Sequence, residues 1–161
     1  MPTAATIDIH QLLEPSTIRI GLPGETKEAV VNHLIDVLGG HPSISSLEAV
    51  RDAVFERERV MSTGVGKMLG LPHAKTAAAT ETVAAFATTE APVDFGAIDD
   101  QPVRLLFLLV GPKTDKSRHI KILGRISRLV SRDSVRERLI DVQTAQEVIE
   151  ILKESEAELR S

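Results

Sequence analysis

Apolar residues along the chain follow two rhythms, short continuous runs and steps of three or four residues. Thr17 to Leu22 carries β-branched residues and stops at Pro23-Gly24, which predicts a strand with a turn behind it. Between Glu25 and Leu38, residues Ala29, Val30, Leu34, Val37 and Leu38 fall at helical spacing, and Gly39-Gly40 ends the segment. Ser45 and Glu48 form a capping box that opens a second helix, which buries Leu47, Val50 and Val54 and runs out near Arg59. Ser62-Thr63-Gly64-Val65-Gly66 is too short and glycine-rich to predict a regular element. It leads through Leu69-Gly70-Leu71 into Pro72-His73.

Val83 to Thr88 fits strand or helix by pattern and is read as strand. Val103 to Val110 is nearly all apolar, the mark of a central strand buried on both faces, and Gly111-Pro112 closes it. Ser117 to Val130 reads as an amphipathic helix through Ile120, Leu123, Ile126, Leu129 and Val130. Thr144 and Glu147 repeat the capping box before a last helix to about Glu158. Strands alternate with helices, and no repeat or linker interrupts them. The expectation is an α/β fold, a single domain over residues 1–161 with one mixed sheet and helices packed on both faces.

Composition narrows the chemistry. With no cysteine there is neither a disulfide framework nor a thiol nucleophile, which points to the cytoplasm. No window approaches the roughly 20 apolar residues of a membrane span, so no membrane insertion is expected. The N-terminus lacks the layout of a signal peptide. A net charge of −4 and an aromatic content of 2% argue against nucleic acid as a partner. Arg125, Arg128, Arg132, Arg136 and Arg138 alternate with apolar residues and are read as solvated helix faces.

The five histidines are the candidates for chemistry. No pair has the spacing of a zinc site on one helix, and neither a metal nor an organic cofactor is expected. His10 is read as a surface residue, His33 as a helix residue and His41 as part of a turn. His73 stands apart. It follows Pro72, is approached through Gly64, Gly66 and Gly70, and is trailed by small and polar residues that leave an imidazole edge open. A neutral imidazole is a competent nucleophile near neutral pH. On local composition alone, a loop histidine with no task fits equally well.

Three ordered blocks decide between those readings. The stretch Arg57-Glu58 through Ser62-Thr63-Gly64-Val65-Gly66 to Gly70-Leu71-Pro72-His73-Ala74-Lys75 resembles the signature of the fructose, mannitol and nitrogen-regulatory IIA family of phosphotransferase systems. Asp94-Phe95-Gly96-Ala97-Ile98-Asp99 resembles its D-W-G-A-I-D block, and His119-Ile120 with Leu123 its later helix opening. Lys67-Met68 and Leu69-Gly70-Leu71 depart from the family pattern, as does Phe95 where tryptophan is frequent.

The resemblance implies that His73 accepts a phosphoryl group, with His119 beside it holding the phosphoryl oxygens and Arg57 neutralising charge. It implies phosphate hydrogen bonds from Thr63 or Ser62. Phosphate would arrive from the histidine-containing phosphocarrier protein, fed by Enzyme I and phosphoenolpyruvate, and leave to a IIB domain on a separate chain. The chain would be one component of a phosphotransferase, incomplete as an enzyme alone. The donor is expected to dock on an apolar rim of Met68, Leu69 and Leu71. In the nitrogen-regulatory branch the same phosphohistidine gates binding to kinases or transporters, a second expectation that the single-domain architecture suits equally.

Overall fold

The apolar run predicted as a central strand is the strand that organises the molecule. A computed structural model describes residues 8–160. It orders β1 (Ile18–Leu22), α1 (Lys27–Asp36), α2 (Leu47–Val60), β2 (Gly64–Gly66), β3 (Leu69–Gly70) and β4 (His73–Lys75). Then follow β5 (Val83–Val93), β6 (Val103–Gly111), α3 (Lys116–Ser131), α4 (Asp133–Ile140) and α5 (Ala145–Arg160). The strands form one mixed sheet in the order β1-β5-β6-β3-β2, with β4 also paired to β6. β5 and β6 are antiparallel, whereas β1 runs parallel to β5, and both β3 and β4 run parallel to β6.

Side chains of β6 alternate between two cores, as a pleated strand requires. Leu105, Phe107 and Leu109 pack with Phe86 under α3, α4 and α5, and the two phenyl rings meet edge-on at 4.8 Å. Leu106, Leu108 and Val110 pack on the other face against α1 and α2. Each fully buried leucine contributes about 1.5–3 kcal/mol. β5 shows why its pattern fitted two readings. Ala85 and Ala87 face α1 and α2 while Ala84 and Phe86 face the other core, so alanines hide the alternation.

Residues 64–75 lie along one flank of β6. β3 pairs with Leu105 and Leu106, and β4 with Leu109 to Gly111. The segment expected to be irregular thus contains an edge strand, because β2 folds back on β3 through a two-residue turn. Lys67 (φ 54°) and Met68 (φ 66°) both take positive φ, the condition of a type I′ turn. Each non-glycine residue there costs about 1 kcal/mol. The turn is held nonetheless. Lys67 N–H donates to Asp99 at 2.8 Å, and the Met68 carbonyl accepts from Arg104 and Leu105.

Other expectations need correction. Ser46, not Ser45, caps α2, its hydroxyl accepting the Ala49 N–H. Ser45 is tied instead to the Ala78 carbonyl through its N–H and its hydroxyl. Thr144 does accept the Glu147 N–H, but Glu147 reaches back to the N–H of Gln143. α4 was not foreseen: it is short and charged, and only Val135 and Leu139, one turn apart, are buried. The arginines around it are largely ion-paired, Arg132 with Glu158, Arg136 with Asp133 and Arg138 with Glu154. His10 is half-buried, not a surface residue. Its ring meets Glu156, whose buried carboxylate also accepts the N–H groups of Ile9 and His10 and so pins the start of the described chain to α5. No helix among the described residues is long and apolar enough to cross a membrane.

Candidate functional site

His73 opens β4, opposite Leu109 of β6. Its Nδ1 lies 2.8 Å from the Leu71 carbonyl. A carbonyl only accepts, so Nδ1 carries the proton and Nε2 keeps its lone pair. Burial pushes the His73 pKa below its ordinary 6.5, and the positive charges of Arg57 and Lys75 push the same way. The Leu71 hydrogen bond and the negative charge of Glu58 oppose them. The ring is neutral at neutral pH.

His119 sits in the first turn of α3, where Asp115 caps the helix by accepting the Arg118 N–H. Its ring centroid lies 5.7 Å from that of His73, with the planes tilted by 52°. The seat exists because residue 111 is glycine: a Cβ there would stand 3.2 Å from the His119 Nδ1. The residue is only 3% exposed, and neither ring nitrogen has a hydrogen-bond partner. Leaving a buried polar group unmatched costs about 1–3 kcal/mol. Burial first, then the charges of His73 and Lys75, lowers its pKa to about 4.

That depression predicts a pH signature. The unfolded chain takes a proton on this imidazole below about pH 6.5, whereas folded His119 does so only near pH 4. Stability attributable to His119 is therefore present above pH 6.5 and lost as pH falls towards 4, by roughly 3 kcal/mol in all. Melting curves between pH 7.5 and 4.5 should fall less steeply for His119→Gln than for the parent. Parallel curves would mean that His119 is not held neutral.

Arg57, in the last turn of α2, donates to the Met61 carbonyl at 3.0 Å. It shares with both histidines a cleft of about 690 Å³, also lined by Lys75 and Lys113 and, on the α2 side, by Asp52 and Glu56. Two other expected residues are turned elsewhere. The Thr63 hydroxyl and N–H both bind the Glu58 carboxylate, and the Ser62 hydroxyl donates to the Phe95 carbonyl. Neither lines the cleft. The proposed docking rim also changes. Leu69 and Leu71 are buried in the core beneath α3, because alternate residues of that segment point inward. The apolar side chains exposed at the cleft are Val60 and Ile120.

Two residues acquire a place that sequence reading did not assign. Lys75 shares the strand face of His73, two residues on, a relation visible once His73 is placed on a strand. Glu58 is buried and bridges Thr63 to Lys27, whose Nζ lies 2.6 Å from its carboxylate.

A neutral histidine with one nitrogen free, a second histidine behind it and cations around it make a site for an anionic group. Residues 11–155 match the family model described as phosphoenolpyruvate-dependent sugar phosphotransferase system, EIIA 2, and the chain belongs to that family. It is 35% identical to the fructose-specific EIIA component of Haloferax volcanii, over 91% of this chain and 96% of that one. It is 29% identical to a nitrogen regulatory protein of Pseudomonas aeruginosa, over 91% and 95%. The crystal structure of the nitrogen regulatory protein IIA-Ntr from Neisseria meningitidis superposes with a TM-score of 0.84 at 32% identity, covering 89% of this chain and 98% of that one.

Proposed function

We propose that this protein is a phosphohistidine carrier in which Nε2 of His73 takes a phosphoryl group from the histidine-containing phosphocarrier protein and passes it to a IIB partner. The observation that carries this reading is the Leu71 hydrogen bond, which commits Nδ1 as a donor and leaves Nε2 as the nucleophile. In the forward step the Nε2 lone pair forms the new N–P bond. The donor's N–P bond breaks, and its imidazole keeps the electron pair. Phosphoryl transfer asks the protein chiefly for alignment and charge stabilisation. Arg57 and Lys75 supply positive charge, and His119 offers a buried ring N–H that otherwise has no partner. Ser62 and Thr63 shape the site from behind rather than binding phosphate, since their hydroxyls are already used.

The test is incubation with phosphoenolpyruvate, Enzyme I and the histidine phosphocarrier, followed by nitrogen-resolved NMR of the product. Expected is an acid-labile, base-stable phosphate bonded to Nε2 of His73. Phosphate on Nδ1, or none with active donors, would overturn the reading.

Similarity to both a fructose component and nitrogen regulatory proteins supports a second role for the same site. A phosphate adds about −1.5 to −2 charge to a cleft now flanked by cations, enough to gate contacts with a regulated kinase or transporter. Partner capture that differs between the phosphorylated and unphosphorylated forms would favour regulation. Transfer to a IIB domain would favour transport.

A further inference from the structure

We propose that Glu58 is a positioning residue for this transfer: its buried carboxylate clamps Thr63, and through Thr63 and Leu71 it holds the His73 ring in the form whose Nε2 is free. The consequence for transfer rests on reading His73 as the phosphoryl acceptor, whereas the clamp itself does not.

The connection can be followed bond by bond. One carboxylate oxygen of Glu58 accepts the Thr63 hydroxyl, and the other accepts the Thr63 N–H at 2.8 Å. The Thr63 carbonyl accepts the Leu71 N–H at 2.9 Å. The Leu71 carbonyl accepts the His73 Nδ1–H at 2.8 Å. Glu58 stands on α2, the helix that also carries Arg57, so one helix end sets both the cation and, through two backbone links, the nucleophile. Lys27 fixes the carboxylate from its far side and lies 5.3 Å from the Phe95 ring centre.

These bonds matter because imidazole has two neutral forms of nearly equal energy. If the Leu71 carbonyl drifts, the proton can move to Nε2, and that nitrogen then has no lone pair to offer. Charge acts in the same sense. During transfer the Nδ1 proton stays in place, so the ring becomes cationic as the N–P bond forms. Arg57, Lys75, Lys113 and His119 share its cleft with Asp52 and Glu56, and the negative charge of the buried Glu58 favours a cationic ring.

The test compares the parent with Glu58→Gln and with the double variant Lys27→Met/Glu58→Gln, which removes the cation that the single change leaves unpaired. Long-range proton–nitrogen NMR on the unphosphorylated proteins reads the His73 tautomer, thermal melts read folding, and phosphoryl transfer is timed in parallel. Expected is a single Nδ1–H tautomer in the parent and a mixture in both variants. The double variant should melt near the parent temperature, yet transfer should slow roughly ten- to a hundredfold, the scale of a misplaced nucleophile. A folded variant that keeps the parent tautomer and rate would overturn the clamp. If the parent takes no phosphate from active donors, the carrier reading fails, and the tautomer comparison still decides the clamp.

Discussion

His73→Ala is expected to abolish phosphorylation outright, from about one phosphate per chain to none, while leaving a folded protein. The substitution removes the Leu71 hydrogen bond, whose net worth is about 1 kcal/mol, and β4 stays paired to β6 through its backbone. His119 cannot take over. Its residue is only 3% exposed, and burial keeps its ring from presenting itself to a donor as His73 does. Intact mass after incubation with phosphoenolpyruvate and both donors reads the result. Label retained by the variant would remove His73 from the mechanism.

The second large effect is expected at Arg57. Arg57→Ala should slow transfer about 10²–10³-fold, the usual cost of removing one preorganised group that stabilises transition-state charge. One guanidinium nitrogen already holds the Met61 carbonyl at the end of α2, which leaves the rest of the planar fork for phosphoryl oxygens. Losing that carbonyl bond should shift the melting temperature by only a few degrees. Arg57→Lys tests geometry against charge: it keeps the charge but loses the fork, and should recover only part of the rate. A parent-like rate in Arg57→Ala would show that Lys75 and Lys113 suffice.

What could be read from the chain depended on how loudly each element announces itself. β6, α3 and α5 are long and periodic, and their patterns placed them to within a few residues. β2, β3 and β4 are two or three residues each and exist only because β6 offers its flank, which local pattern does not encode. The candidate site was legible as a set of residue types through the family blocks, yet its geometry was not. Ser62 and Thr63 are expected as phosphate ligands because the resemblance of their Ser-Thr-Gly segment to the family block implies it. Their hydroxyls are instead drawn to Phe95 and Glu58, partners that folding supplies. Glu58 stands in the first family block but receives no role from it, and it is the burial against Lys27 and Thr63 that sets it apart.

β4 also bears on timing. His73, the proposed nucleophile, rides on a strand bonded to the most deeply buried strand of the sheet, and its ring is tied to its own backbone. Such a mount has no hinge, so adaptation to successive partners falls to long side chains at the cleft mouth, which reorient in picoseconds to nanoseconds. On the proposed carrier reading, one nitrogen in one cleft serves both giver and receiver, so the two are not expected to be seated together. Turnover is then expected to follow a ping-pong pattern, with each partner leaving before the next is seated.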